Sequence, residues 1–281
     1  ADGWLVTGFG FHDFGAAGVV HAVAGFFALG GLINLGPRID KFNADGTAND
    51  ISGHNMPFTA TGLMLIIVGF WGFLMACMIL PGEGWSWTAN TGTTIYGTPM
   101  NLSALSFNIL MGICGGVIGA WLLNRDPFWM MSGALAGIIS VASGLDIYFP
   151  ALAFIVAIVA GLLLRPAARM LEAFGIDDAV GAVTVHGTIG VYGMVVFGVF
   201  AQGYPALFID NAPTVSILGQ LVGAIVTSLC GFIPGYLLSL GLSGLGMLRT
   251  PEAAEIAGLD TTKVPAQAFP EGIPASAQPA E

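Results

Sequence analysis

The sequence predicts an all-α integral membrane protein with seven spans, and three observations predict it. Hydrophobic residues make up 55% of the chain against 9% charged, with a mean hydropathy of +0.83; soluble domains carry about a quarter charged residues. The apolar residues gather into seven stretches long enough to cross a bilayer. All seven Lys and Arg lie beyond alternate stretches. The 42 glycines fit helices packed closely in lipid.

The predicted spans are roughly 11–35, 57–80, 101–123, 128–145, 149–165, 179–202 and 214–246. The first holds Asp13 and, eight residues on, His21. The second begins after Asn55-Met56-Pro57 and carries Phe70-Trp71-Gly72-Phe73. Between it and the third lies a loop rich in Trp, Thr and Gly, where Trp85 and Trp87 suit a membrane interface. The fourth and fifth form one apolar block divided at 144–150, where Gly144, Asp146 and Pro150 mark a turn. The sixth repeats the first, with His186 eight residues after Asp178. The last, 33 residues, is about 50 Å as a straight helix, so it must tilt or protrude, and Pro234 is a candidate kink. Residues 1–250 form the transmembrane domain and 251–281 a partly ordered cytoplasmic tail.

The basic residues set the orientation. Arg38 and Lys41 follow the first span, Arg125 the third, Arg165 and Arg169 the fifth, Arg249 and Lys263 the seventh. The positive-inside rule then puts the N-terminal end and even loops outside and the C-terminus in the cytoplasm. The first and sixth spans run in opposite directions, as in inverted-repeat transport proteins.

A formal net charge of −10 argues against nucleic acid as a partner. Cys77, Cys114 and Cys230 sit in apolar runs at unrelated spacings and read as packing residues, with no metal motif and no disulfide. Nothing suggests a hydrolase or transferase, so the chain is read as a non-enzyme without cofactor. A b-type haem between two intramembrane His is the redox alternative, weakened because such helices usually carry His for two haems.

Ionisable groups within spans are functional candidates. Either His alone could merely join helices by hydrogen bonding; the matched pair favours function. Eight residues of helix would place each ring about 12 Å below its Asp, toward mid-bilayer. Away from water the neutral ring is favoured, and two neutral rings in contact offer one donor and one acceptor to a small polar solute. Asp13 can cap its helix or meet a cation. His12 reads as interfacial and solvated, His54 as a loop or capping residue, and the aromatic cluster as a gate or plain packing.

The residues resemble the ammonium transporter (Amt/Rh) family. The family's Asp-Phe-Ala-Gly-Gly-x-Val-Val-His is matched from Asp13 to His21, and its Val-His-Gly-x-x-Gly from Val185 to Gly190. Asn55-Met56-Pro57, Gly69-Phe70-Trp71-Gly72-Phe73, 132–137 and the tail from Leu248 to Asp260 follow in the family order. The resemblance implies that His21 and His186 are twin histidines lining a narrow pore. Phe73 would be one gate phenylalanine, Phe70 would replace a pore-mouth Trp, and Asp13 would be the acid near the entry. It also implies ammonium recruitment with ammonia passing the histidines, a homotrimer with one pore per subunit, a cell (inner) membrane location and a regulator at the tail.

The family has eleven spans in two inverted halves, and this chain matches the fifth through eleventh. Gly181 stands where an acid is usual, Leu74 where Asn is frequent and Thr184 where Gly is frequent. The usual His-Gly-Glu tail ending is also absent. Seven spans cannot close the pore, so the expectation is an N-terminal four-span part removed, encoded separately or not included. The alternative function is a non-transporting structural subunit or an ammonium sensor in a membrane complex.

Overall fold

The computed structural model describes residues 3–78, 86–123, 125–205 and 214–263. Trp85 and the tail beyond Lys263 lie outside the described residues. The elements, in order, begin with α1 (Trp4–Phe9), then a π-helical turn (Ala17–Ala22) that continues as α2 (Val23–Leu35). There follow α3 (Met56–Ala76), a small hairpin β1 (Gly92–Thr93) and β2 (Pro99–Met100), α4 (Leu102–Leu123), α5 (Pro127–Ala142) and α6 (Pro150–Ala173). A second π-helical turn (Ala182–Thr188) continues as α7 (Ile189–Phe200), before α8 (Ile217–Gly244), α9 (Glu252–Ala257) and α10 (Leu259–Thr262).

Local chemistry sets several helix starts. Asn55 accepts from the Phe58 N–H at 2.9 Å and Pro57 follows within the first turn; the proline lacks only an N–H that would be unpaired there. Asp126 caps α5 through the N–H groups of Phe128 and Trp129, again with a proline next. Ser216 caps α8 through the Gly219 N–H at 2.8 Å.

Among the described residues, six helical segments are long and apolar enough to cross a membrane: Ala17–Leu35, α3, α4, α6, Ala182–Phe200 and α8. The fourth apolar stretch yields the shorter α5, 16 residues or about 24 Å. It is buried among its neighbours from Ser132 onward, except Leu135. The apolar stretch at 149–165 continues as helix to Ala173, so Arg165 and Arg169 stand on α6 and not in a loop.

The core is built on α4, α5 and α6, with Leu105, Ile109, Ile138, Val141 and Val156 buried in it. Gly116 shows why they fit: a Cβ there would strike the Gly133 carbonyl and the Gly137 backbone of α5. Helices this close gain van der Waals contact along their backbones. By contrast α3 is open, with Phe58 76%, Leu65 71% and Val68 71% exposed. Cys77 and Cys230 are also exposed, so they do not pack as expected; Cys114 is half-buried.

Candidate functional site

The two Asp–His units fold alike. Asp13 Oδ2 accepts from the N–H groups of Gly18 at 2.9 Å and Val19 at 3.0 Å, and its Oδ1 accepts from Ser143 Oγ at 2.7 Å. Asp178 Oδ1 accepts from the Val183 N–H at 3.2 Å; its Oδ2 accepts from the Thr184 N–H at 2.8 Å and Thr184 Oγ1 at 2.9 Å. Each carboxylate thus satisfies first-turn amides and favours the positive end of its helix. This corrects the expected depth: helix starts four residues after Asp13, not at it, so the eight-residue helical rise does not apply.

The chain enters each turn through a left-handed residue, Ala16 at φ 66° and Gly181 at φ 75°. Gly181, a departure from the family pattern, is therefore the residue best suited to that backbone. Thr184, another departure, supplies a hydroxyl to Asp178. In the first turn the His21 N–H reaches the Ala16 carbonyl, five residues back, at 3.2 Å. Wide turns of this kind recur at functional sites because they re-aim a side chain.

Here they bring two rings together. His21 Nδ1 lies 3.0 Å from His186 Nδ1, with ring centroids 5.2 Å apart and planes 20° apart. One nitrogen must donate and the other accept, so the two rings cannot both be imidazolium in this geometry. His21 is buried, and its Nε2 has no hydrogen-bond partner among the described residues. With both rings neutral, the pair keeps one donor and one acceptor at the two Nε2 positions.

Glycine makes the approach possible. A Cβ on Gly25 would collide with the Gly187 backbone, and one on Gly190 would lie 2.6 Å from the Ala17 carbonyl oxygen. The Phe70 ring stacks on His21 at 5.6 Å and 13°, and Phe73 meets Phe70 edge-on at 6.4 Å. Phe73 is 39% exposed. A cavity of about 840 Å³, lined by Asp178, His54, Arg165 and Arg169 among others, opens beside the second unit.

His12 is not merely solvated: its Nε2 sits 3.0 Å from Asp146 Oδ2 and its ring packs on Phe197. Asp146 and Ser143 were legible only as parts of a turn; an acid inside an apolar turn was the available signal. Asn55, not His54, caps α3.

The model of the Ammonium Transporter Family matches residues 1–269. The chain belongs to the ammonium transporter family. It is 33% identical over 263 residues to ammonium transporter Amt2 of Methanocaldococcus jannaschii, covering 92% of this chain and 57% of that relative. To Amt2 of Archaeoglobus fulgidus it is 30% identical, covering 96% and 60%. Among solved structures, a sensor Amt protein matches with a TM-score of 0.76 and 27% identity, over 93% of this chain and 62% of that one. The Rh50 channel of Nitrosomonas europaea shares the fold, with a TM-score of 0.67 at 19% identity. This family member thus spans less than two thirds of the length of these relatives. It is a membrane protein with several apolar helices.

Proposed function

We infer that the chain carries the histidine-bearing part of an ammonium/ammonia channel-type transporter. The observation that carries this reading is the part-buried Nδ1–Nδ1 contact of His21 and His186 beneath Phe70. Its free Nε2 atoms suit ammonia, which both donates and accepts hydrogen bonds and carries no charge to bury. Phe70 and Phe73 would gate the approach, and Asp13 would brace the helix that presents His21. The open flank of α3 and the greater length of the relatives support further spans walling the passage, the four of an eleven-span, inverted-repeat family fold. A trimer in the cell membrane, with the N-terminal end outside and a tail-binding regulator inside, completes the proposal.

Methylammonium flux into proteoliposomes of the complete assembly tests it. Replacing His21 or His186 by Leu is expected to reduce flux at least tenfold; unchanged flux in both variants would overturn the reading. A second reading, an ammonium sensor, draws on the likeness to the solved sensor Amt protein. It expects ammonium-dependent association with a partner and no flux.

A further inference from the structure

His12 and Asp146 form a close pair, with His12 Nε2 at 3.1 and 3.0 Å from the two carboxylate oxygens. Their side chains are 31% and 19% exposed. The pair joins the segment before the first π-helical turn to the turn between α5 and α6. Neighbouring bonds run between the same two segments. Ser143 Oγ donates to Asp13, the Phe14 N–H to the Ser143 carbonyl at 3.2 Å, and the Gly15 N–H to the Ala142 carbonyl at 2.8 Å. Gln220 of α8 donates to the His12 carbonyl at 3.0 Å.

The equivalent position in the second unit, 165 residues on, is Asp177. It too is paired, with Arg38: Nε at 2.7 Å, Nη2 at 2.8 Å and the backbone N–H at 3.0 Å. Each unit is thus fastened by an ion pair one residue before its capping Asp. A guanidinium keeps its charge at every physiological pH. An imidazole does not.

We propose that His12–Asp146 is a proton-controlled clasp that positions Asp13, and through it the turn bearing His21. While His12 holds its second proton, the pair keeps residues 12–15 on the 142–146 turn. As pH rises through the imidazole range the charge, and with it most of the attraction, is lost. Asp13, on its own segment, and Asp146 face His12 electrostatically; Cys77 at the end of α3 and Tyr204 after α7 couple to Asp146. Tyr148 meets Phe197 edge-on at 5.6 Å. Thiols and phenols ordinarily titrate above about pH 8 and carboxylates near pH 4. Burial works to lower the His12 pKa, but the Asp146 and Asp13 carboxylates outweigh it and raise it, which puts the window of the clasp at neutral pH and just above. The consequence for flux rests on the transport reading above; the clasp itself does not.

Two readouts on the complete assembly test the clasp: hydrogen exchange of the peptide containing Gly18 and Val19, corrected for intrinsic rate, and methylammonium flux, both from pH 5.5 to 8.5. In the native protein, protection is expected to fall at least threefold as pH rises. His12→Gln should give low protection and a flat profile, while His12→Arg should give high protection, also flat. Asp146→Asn, acting from the other side, should match His12→Gln and guards against misfolding of one variant. Native protection independent of pH, or a native-like profile in His12→Gln, would overturn the clasp even if flux is normal. Absent flux in a native protein whose protection still follows pH would sink the transport reading and leave the clasp standing.

Discussion

The segments 12–25 and 177–190 share a spacing of Asp, left-handed residue, His and Gly, yet differ in how they are held. The first rests on a histidine–carboxylate pair and a serine hydroxyl from the turn between α5 and α6; the second on an arginine–carboxylate pair and a hydroxyl of its own turn. The contact between the His rings depends on both turns holding their shape. The difference teaches that one local geometry can be fixed by two chemistries, one indifferent to pH near neutrality and one not.

The largest effect should come from disturbing the crossing that the two units share. Gly25→Val forces a branched side chain into the Gly187 backbone, and because backbone cannot yield as a side-chain tip can, the helices must separate. Loss of the assembled protein, read by size-exclusion and thermal melting, is expected. A variant that melts like the native protein would mean that the crossing is looser than the geometry states.

Next comes the permanent pair. Asp177 is almost fully buried, at 3% side-chain exposure, and accepts three hydrogen bonds from Arg38. Burial works to raise its pKa, but those bonds and the guanidinium charge outweigh it and hold the carboxyl below the usual value of 3.8. Asp177→Asn should cost about 2 kcal/mol, because it weakens three hydrogen bonds from a charged donor, a loss moderated by the 36% exposure of Arg38 and by Glu255 nearby. A depressed carboxylate adds stability that is complete above its unfolded pKa and is lost as pH falls through the folded one. This fastening should therefore weaken only below about pH 4. Melting of native and Asp177→Asn proteins across pH checks both sign and window.

Sequence patterns exposed much of this, and their limits are physical. Apolar runs located the helices, while the starts at Asn55-Met56-Pro57 and Asp126-Pro127 are set by capping chemistry, which is local. The Asp13/His21 and Asp178/His186 spacing picked out the residues that meet. The π-helical turns were hidden, since nothing in the identity of Ala16 announces a positive φ. His12–Asp146 was hidden too, because it joins residues 134 apart in sequence. Charge ends the apolar run at Arg165, yet the helix continues through Arg169 to Ala173, because charge marks the membrane edge and not the end of a helix.

A smaller effect separates the two hydroxyl braces. Ser143→Ala removes a donor to Asp13 from a different element, whereas Thr184→Val removes one to Asp178 from within the same turn. Each should cost about 1.5 kcal/mol, the low end of the range for a hydrogen bond to a charged group. The Ser143 variant alone should also raise exchange in the Gly18–Val19 peptide, because it loosens the link to the 142–146 turn.

The smallest effect concerns the left-handed entry residue, where the two units differ by one methyl group. At φ 66° the Cβ of Ala16 crowds the backbone, a strain of about 1 kcal/mol that glycine lacks. Ala16→Gly relieves it but gives the unfolded chain more freedom, which opposes the gain by a few tenths to about 1 kcal/mol. The net change should be near zero or slightly stabilising. Gly181→Ala runs the other way at φ 75° and should destabilise by about 1 kcal/mol or less, with its Cβ 3.4 Å from a Val185 methyl, an ordinary contact. Melting temperatures of the two single variants and the exchange Ala16→Gly/Gly181→Ala compare the turns directly. Additive shifts of opposite sign would establish that the units share one backbone solution, whereas a large loss in Ala16→Gly would show that the methyl group packs against something the second unit does not have.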